Sequence, residues 1–228
     1  MREALIVSTA RTPIGKAFRG AFNDTQAQQL AGHAIAEAVK RAKIENYEID
    51  DVIIGAAGQQ GSQQGNIARQ SLLRAGLPVS VAGMSLDRQC ASGMMAIATA
   101  AKEITEDGMQ ITIGGGVESV SLVRNEKFRT DRGRDPWLEE KIPSLYMTMI
   151  ETAENVADRY GISRDKQDEY ALQSQQRIAN AQEKGYLDAE IVPLKSTMKY
   201  LNKESGEVSN HEVFLEKDEG NRPNTTLE

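Results

Sequence analysis

Several residue types that would point to other classes of protein are scarce in this sequence. Its 228 residues include a single cysteine, Cys90, so the chain cannot close an internal disulfide bond. The two histidines, His33 and His211, have no cysteine partners at the spacing of a zinc site. We therefore expect no structural or catalytic metal.

Long apolar runs and basic clusters are also missing. No stretch approaches the roughly 18 apolar residues of a membrane helix, and a strand-like segment, Ala4–Ser8, follows the first three residues directly. We expect no signal peptide, no membrane association and a cytoplasmic location. The net charge is −6, with 33 acidic against 27 basic residues, which disfavours a nucleic-acid partner.

The first half of the sequence alternates apolar strand-like and helix-like runs. This order predicts an α/β fold with helices layered on a sheet. The segment Thr25–Lys43 has the apolar spacing of an amphipathic helix, and Thr25 and Gln28 have the spacing of a capping box. The other predicted elements of this half are Ala4–Ser8, Val52–Ala56, Asn66–Ala75, Val81–Leu86, Ala91–Thr105 and Ile111–Gly114.

The composition becomes charged and irregular after Ser119. We therefore predict an α/β domain over residues 1–119 and a second domain over residues 120–228. Within the second domain, capping signals predict two surface helices, Glu151–Tyr160 before Gly161 and Arg164–Lys184 after Ser163. Weak alternation follows in Glu190–Leu194 and Gly206–Leu215.

Cys90 lies between a predicted buried strand, Val81–Leu86, and a helix, Ala91–Thr105, with almost no polar face. We expect that helix to be buried centrally. The start of a helix favours a thiolate over a thiol, and the small residues 91–93 leave room for an approaching thioester. A nucleophilic cysteine is one interpretation, and an inert core cysteine is the other.

Five ordered segments resemble the thiolase family, and together they extend over essentially the whole chain. The segment around Cys90 resembles the nucleophile motif of that family, and the three-glycine run favours tight backbone packing rather than a phosphate site. The matching segments are Thr9–Lys16, Gly65–Gln70, Asp87–Gly93, Gly114–Ser119 and Glu151–Ala157.

The resemblance implies a layered αβαβα core, of which this chain supplies the first βαβαβ half with an inserted, mostly helical loop domain. It implies that Cys90 attacks a thioester and carries the acyl group between coenzyme A and acetyl-CoA, with coenzyme A thioesters as substrates and no cofactor. This is either 3-ketoacyl-CoA cleavage or acetoacetyl-CoA formation. It further implies coenzyme A contacts from Tyr146, Met147 and Arg222, and a homodimer or tetramer with Arg69 and Gln70 at the subunit interface.

Two motifs of the family are absent from these 228 residues: a Gly-His-Pro that activates the nucleophile and a Cys-x-Gly that moves the α-proton. We therefore expect a truncated chain that is inactive in turnover by itself. The alternative is a non-catalytic module that binds coenzyme A or lipid, or an assembly subunit. The ketoacyl synthases share the implied fold and a helix-start cysteine, but the run Gln89–Gly93 and the inserted domain favour thiolase.

Overall fold

The computed structural model describes residues 2–227. Their contacts divide the chain into two compact units. The first unit comprises residues 1–128 and 187–220, and the second comprises residues 129–186 and 221–228. The predicted division after Ser119 into an α/β domain and a loop domain stays a prediction, but the segment 187–220 packs with the first unit in the structure.

The first unit is built around a three-stranded parallel sheet with the order β2-β1-β3. Helix α2 connects β1 to β2 and α3 connects β2 to β3, which gives the βαβαβ pattern that the resemblance implied. The elements are α1 (Ala27–Ala42), β1 (Asp51–Gly55), α2 (Ile67–Arg74), β2 (Ala82–Leu86), α3 (Ser92–Thr105), β3 (Thr112–Gly116) and α4 (Val120–Val123).

Strand β1 lies at the centre of the sheet and packs on helices from both sides. Val52 and Ile54 belong to the main core cluster with residues of α1 and α2. Ile53 points to the opposite face, where it packs against Ala96 and Ala100 of α3. Successive side chains of a strand alternate between faces, so a continuously apolar strand is what a doubly covered sheet requires.

An antiparallel hairpin of β4 (Leu194–Leu201) and β5 (Val208–Leu215) completes the first unit. Leu194 packs against Ala21 and Phe22 in a small separate core. The predicted alternation over Gly206–Leu215 contains β5, whereas Glu190–Leu194 overlaps β4 only at Leu194.

The second unit contains helices α5 (Pro136–Lys141), α6 (Met149–Tyr160) and α7 (Arg164–Glu183). The predicted ends of α6 and α7 are confirmed: Gly161 ends α6 in the left-handed conformation, and the Ser163 hydroxyl accepts a hydrogen bond at the start of α7. None of the helices described between residues 2 and 227 combines the length and the apolar composition that a bilayer crossing requires.

Two predictions about apolar segments are wrong. The segment Ala4–Ser8 is not a strand: it pairs with no strand of the sheet, and the side chains of Leu5, Ile6 and Val7 are exposed beside an apolar cavity of about 880 Å³. Helix α3 is not buried centrally: it packs on the sheet through one face, while Met94 on the other is 77% exposed.

Two finer predictions also fail. The Thr25 hydroxyl shares a 2.6 Å hydrogen bond with the Ser196 hydroxyl instead of capping α1, which begins after Gln26 without a side-chain cap. Strand β2 is only partly covered, because it lies at an edge of the sheet. The first outcome is decided by a contact distant in sequence, and the second by the strand order of the sheet.

Within the first unit, a charged cluster ties the segment before α1 to the segment after β5. Arg11 donates two hydrogen bonds to the Asp218 carboxylate, at 2.8 and 3.0 Å, and one to Glu190 at 2.6 Å. Burial raises the pKa of Asp218, but the hydrogen bonds and charge of Arg11 and the N–H of Ile14 outweigh it. The pKa therefore lies below its ordinary value of 3.8.

Asp218→Asn should make the chain less sensitive to acid. A carboxyl whose pKa is lowered by folding contributes stability above its unfolded pKa, near 4 here, and loses it as the pH falls through the folded value. At neutral pH the variant should lose about 1 kcal/mol of unfolding free energy, and its stability should fall less steeply than wild type below pH 4. Urea unfolding at several pH values measures the stability at neutral pH and its decrease in acid. Asp188→Asn, at an exposed position, is the control. Parallel wild-type and Asp218→Asn curves would contradict the assignment.

Candidate active site

Cys90 is positioned at the carboxyl edge of the parallel sheet. A short turn separates it from the end of β2. It immediately precedes Ala91, which is the N-cap residue of α3. Its side chain is exposed and makes no disulfide. Open α/β sheets bind ligands outside the carboxyl ends of their strands, so this edge is where a reactive group can meet a substrate.

Glycines bring α3 unusually close to the sheet. A Cβ atom on Gly55 would lie 2.2 Å from the carbonyl carbon of Ser92, and one on Gly114 would lie 2.6 Å from the Cα of Ile97. A Cβ on Gly116 would lie 3.0 Å from the Cα of Gly93. The expectation that the three-glycine run serves tight backbone packing is therefore confirmed.

The turn between β2 and α3 holds Cys90 in a constrained backbone. Gln89 has a φ of 49°, in the left-handed region that residues with a side chain seldom adopt. The Asp87 carboxylate accepts a hydrogen bond from the Gln89 N–H at 2.7 Å. The buried Ser92 hydroxyl accepts from the Arg88 N–H at 2.8 Å and donates to the Gln89 carbonyl at 2.6 Å.

A second polar network fixes the neighbouring loops at the same edge of the sheet. The Glu118 carboxylate, just after β3, accepts hydrogen bonds from the N–H groups of Ala57 and Gly58, just after β1. The fully buried Gln63 donates to Glu118 at 2.9 Å, and its amide oxygen accepts from the Ser119 N–H. The loops that follow β1 and β3 are thus cross-linked by side chains.

The three predicted coenzyme A contacts all belong to the second unit, whereas Cys90 belongs to the first. The Tyr146 hydroxyl accepts a hydrogen bond from the Asp135 N–H at 3.0 Å, and the sulfur of Met147 accepts one from the Asn155 amide at 3.1 Å. The Arg222 N–H donates to Gln175 of α7 at 2.7 Å. Their role in coenzyme A binding stays a prediction.

The predicted interface residues make contacts inside the chain. Arg69 donates hydrogen bonds to the carbonyls of Val79 and Val81, and so ties α2 to the loop before β2. Gln70 accepts a hydrogen bond from Gln28 at 2.7 Å. The subunit-interface role of both residues stays a prediction.

Both histidines have partners within the fold. His33 lies 3.0 Å from the Pro193 carbonyl, and His211 lies 2.9 Å from the Ser209 hydroxyl. Within residues 2–227, no cluster of three or more histidine, cysteine, aspartate or glutamate side chains is arranged to hold a metal ion.

Sequence reasoning missed the role of Ser92, which it treated only as a small residue beside the nucleophile. A serine in the first turn of a predicted helix is itself a signal, since its hydroxyl commonly bonds nearby backbone groups. Gln63 and Glu118 were also missed as a pair, because they are far apart in sequence.

The sequence was compared with the profiles of known protein families. The sequence profile described as "Thiolase, N-terminal domain" matches residues 4–228. The chain therefore belongs to the thiolase family.

Relatives with assigned names match over the full length of this chain. A 3-ketoacyl-CoA thiolase of Bacillus subtilis is 40% identical, and a beta-ketoadipyl-CoA thiolase of Pseudomonas putida is 38% identical. The chain spans 58% of the length of each. The crystal structure of the Bacillus anthracis acetyl-CoA acetyltransferase superposes with a TM-score of 0.80 at 35% identity, and the match covers all of this chain and 57% of that one.

Gly114→Ala should loosen the packing of α3 and lower the free energy of unfolding by about 1–3 kcal/mol, because the added methyl group overlaps the helix backbone at Ile97. Urea midpoints measure the change. Gly220→Ala is the matched control, since its added methyl group meets no atom within 4 Å and should shift stability by less than about 0.5 kcal/mol. Equal midpoints for the two variants would contradict the close approach.

Proposed function

We propose that this chain carries the nucleophile of a thiolase-type acyltransferase and that Cys90 is the residue acylated. The observation that carries the proposal is the exposed cysteine at the start of α3 and at the carboxyl edge of a parallel sheet. Thiolase relatives matching along the full length of the chain support the same reading.

In the proposed step, the Cys90 thiolate attacks the carbonyl carbon of an acyl-CoA. A new carbon–sulfur bond forms to Cys90, the bond to the coenzyme A sulfur breaks, and coenzyme A leaves as a thiolate that takes up a proton. The partial positive charge at the start of α3 attracts the negatively charged sulfur as it attacks. No redox partner is needed.

The second half of a thiolase reaction requires groups that these 228 residues do not contain. Exchange with acetyl-CoA needs a base to remove an α-proton, and the sequence has no second cysteine and no Gly-His-Pro motif. We therefore propose that this chain by itself becomes acylated but does not turn over. The overall reaction would be cleavage of a 3-ketoacyl-CoA or formation of acetoacetyl-CoA.

Several finer assignments belong to the same proposal. Tyr146 and Met147 would line the acyl and pantetheine part of the site, and the exposed Arg222 would pair with the phosphates of coenzyme A. The functional assembly would be a cytoplasmic homodimer or tetramer.

Incubation with radiolabelled acetyl-CoA tests the proposal. We expect one acetyl group per chain, mapped to Cys90 by peptide mass spectrometry, at a rate above that of the same chain unfolded in urea. Cys90→Ser keeps the side-chain shape with a weaker nucleophile and should take up no label. Acetoacetyl-CoA should not accumulate.

Two other outcomes have separate meanings. If the chain binds coenzyme A but Cys90 takes up no label, the proposed acyltransferase function is wrong. That result would favour a non-catalytic module that binds coenzyme A. Steady turnover that is lost in Cys90→Ser would show that other residues of the chain supply the acid and base.

A further inference from the structure

The backbone on the amino-terminal side of Cys90 is held in a conformation that needs support. Gln89 adopts a left-handed φ of 49°, although it is not glycine. Its carbonyl belongs to the peptide group that contains the Cys90 nitrogen. Hydrogen bonds that fix this carbonyl therefore also fix the plane of the peptide group from which the Cys90 α-carbon extends.

Ser92 supplies that support from the other side of Cys90. Its hydroxyl donates to the Gln89 carbonyl at 2.6 Å, and its backbone N–H donates to the same carbonyl at 3.0 Å. The hydroxyl oxygen also accepts from the Arg88 N–H at 2.8 Å. One side chain thus bonds to the peptide group before Arg88 and to the peptide group after Gln89, and so spans both residues.

Ser92 is itself anchored to the sheet. It is only 4% exposed, and its carbonyl group lies where a side chain on Gly55 would begin. Gly55 is the last residue of the central strand β1. The contacts form a continuous path from the central strand through Ser92 and the Gln89 carbonyl to Cys90.

We infer that Ser92 is a positioning residue for Cys90: its buried hydroxyl locks the strained Gln89 backbone and so orients the thiol at the start of α3. The inference rests on the proposed function for its chemical meaning. A second clamp acts on the same residue, because the exposed Asp87 carboxylate accepts the Gln89 N–H at 2.7 Å.

Ser92→Ala and Ser92→Thr separate positioning from general stability. Ser71→Ala is the matched control, since Ser71 is fully buried in α2 of the same unit and its hydroxyl has no hydrogen-bond partner within the described residues. Urea unfolding measures stability. Alkylation of Cys90 by iodoacetamide is measured in each folded variant and in the same variant unfolded in urea.

Ser92→Ala should bring the ratio of folded to unfolded alkylation rates toward one and should slow acetylation by acetyl-CoA at least about tenfold. Ser92→Thr retains the hydroxyl and should stay close to wild type, as should Ser71→Ala. A Ser92→Ala variant that loses stability but keeps the wild-type ratio would overturn the inference.

Two arms keep the test decisive. If Ser92→Ala does not fold, the substitution Asp87→Ala at an exposed position is used in its place. A ratio of folded to unfolded alkylation rates that moves toward one then supports the locked turn, and an unchanged ratio overturns the inference. If wild type takes no label from acetyl-CoA, the proposed function fails, while the alkylation ratios still decide whether Ser92 orients Cys90.

Discussion

The contact between the backbone of α3 and the glycines of β1 and β3 is the constraint on which the candidate site depends. Gly55, Gly114 and Gly116 have no Cβ atoms, so the first turns of α3 lie directly against the strands. Larger residues there would push the helix away and lift its start from the carboxyl edge of the sheet. The location of Cys90 is thus set by residues before and after it in sequence.

This packing gives Cys90 and Ser92, two residues apart, different surroundings. The buried side of the first turn, at Ser92, is used for anchoring, while Cys90 two residues earlier stays exposed. Gln89 has a left-handed φ in the turn that precedes both residues. Its strain is offset by two hydrogen bonds, one donated by its N–H to the Asp87 carboxylate and one accepted by its carbonyl from the Ser92 hydroxyl. The Cys90 side chain is thus exposed next to a backbone segment that several hydrogen bonds hold in place.

Much of the fold could be predicted from the sequence, because apolar periodicity and capping residues act locally. The alternating order of strands and helices, the end of α6 at Gly161 and the start of α7 at Ser163 follow from such signals. The tight packing of the three-glycine run was expected because its surroundings lack the pattern of a phosphate site. Contacts between distant segments could not be predicted: Thr25 bonds Ser196 rather than capping α1, and Ala4–Ser8 finds no strand partner. In the candidate site, sequence resemblance pointed to Cys90, but the role proposed for Ser92 depends on the geometry of the turn.

The most direct test of the account is the rate at which iodoacetamide alkylates Cys90 in the folded wild-type chain near neutral pH, relative to the same chain unfolded in urea. Since Cys90 is the only cysteine, the mass of the intact protein reports its modification without ambiguity. We expect faster reaction in the folded chain, because folding leaves the thiol exposed and places it at the start of α3, the positive end of the helix dipole. A folded chain that reacts more slowly than the unfolded one, or stays unmodified, would contradict it.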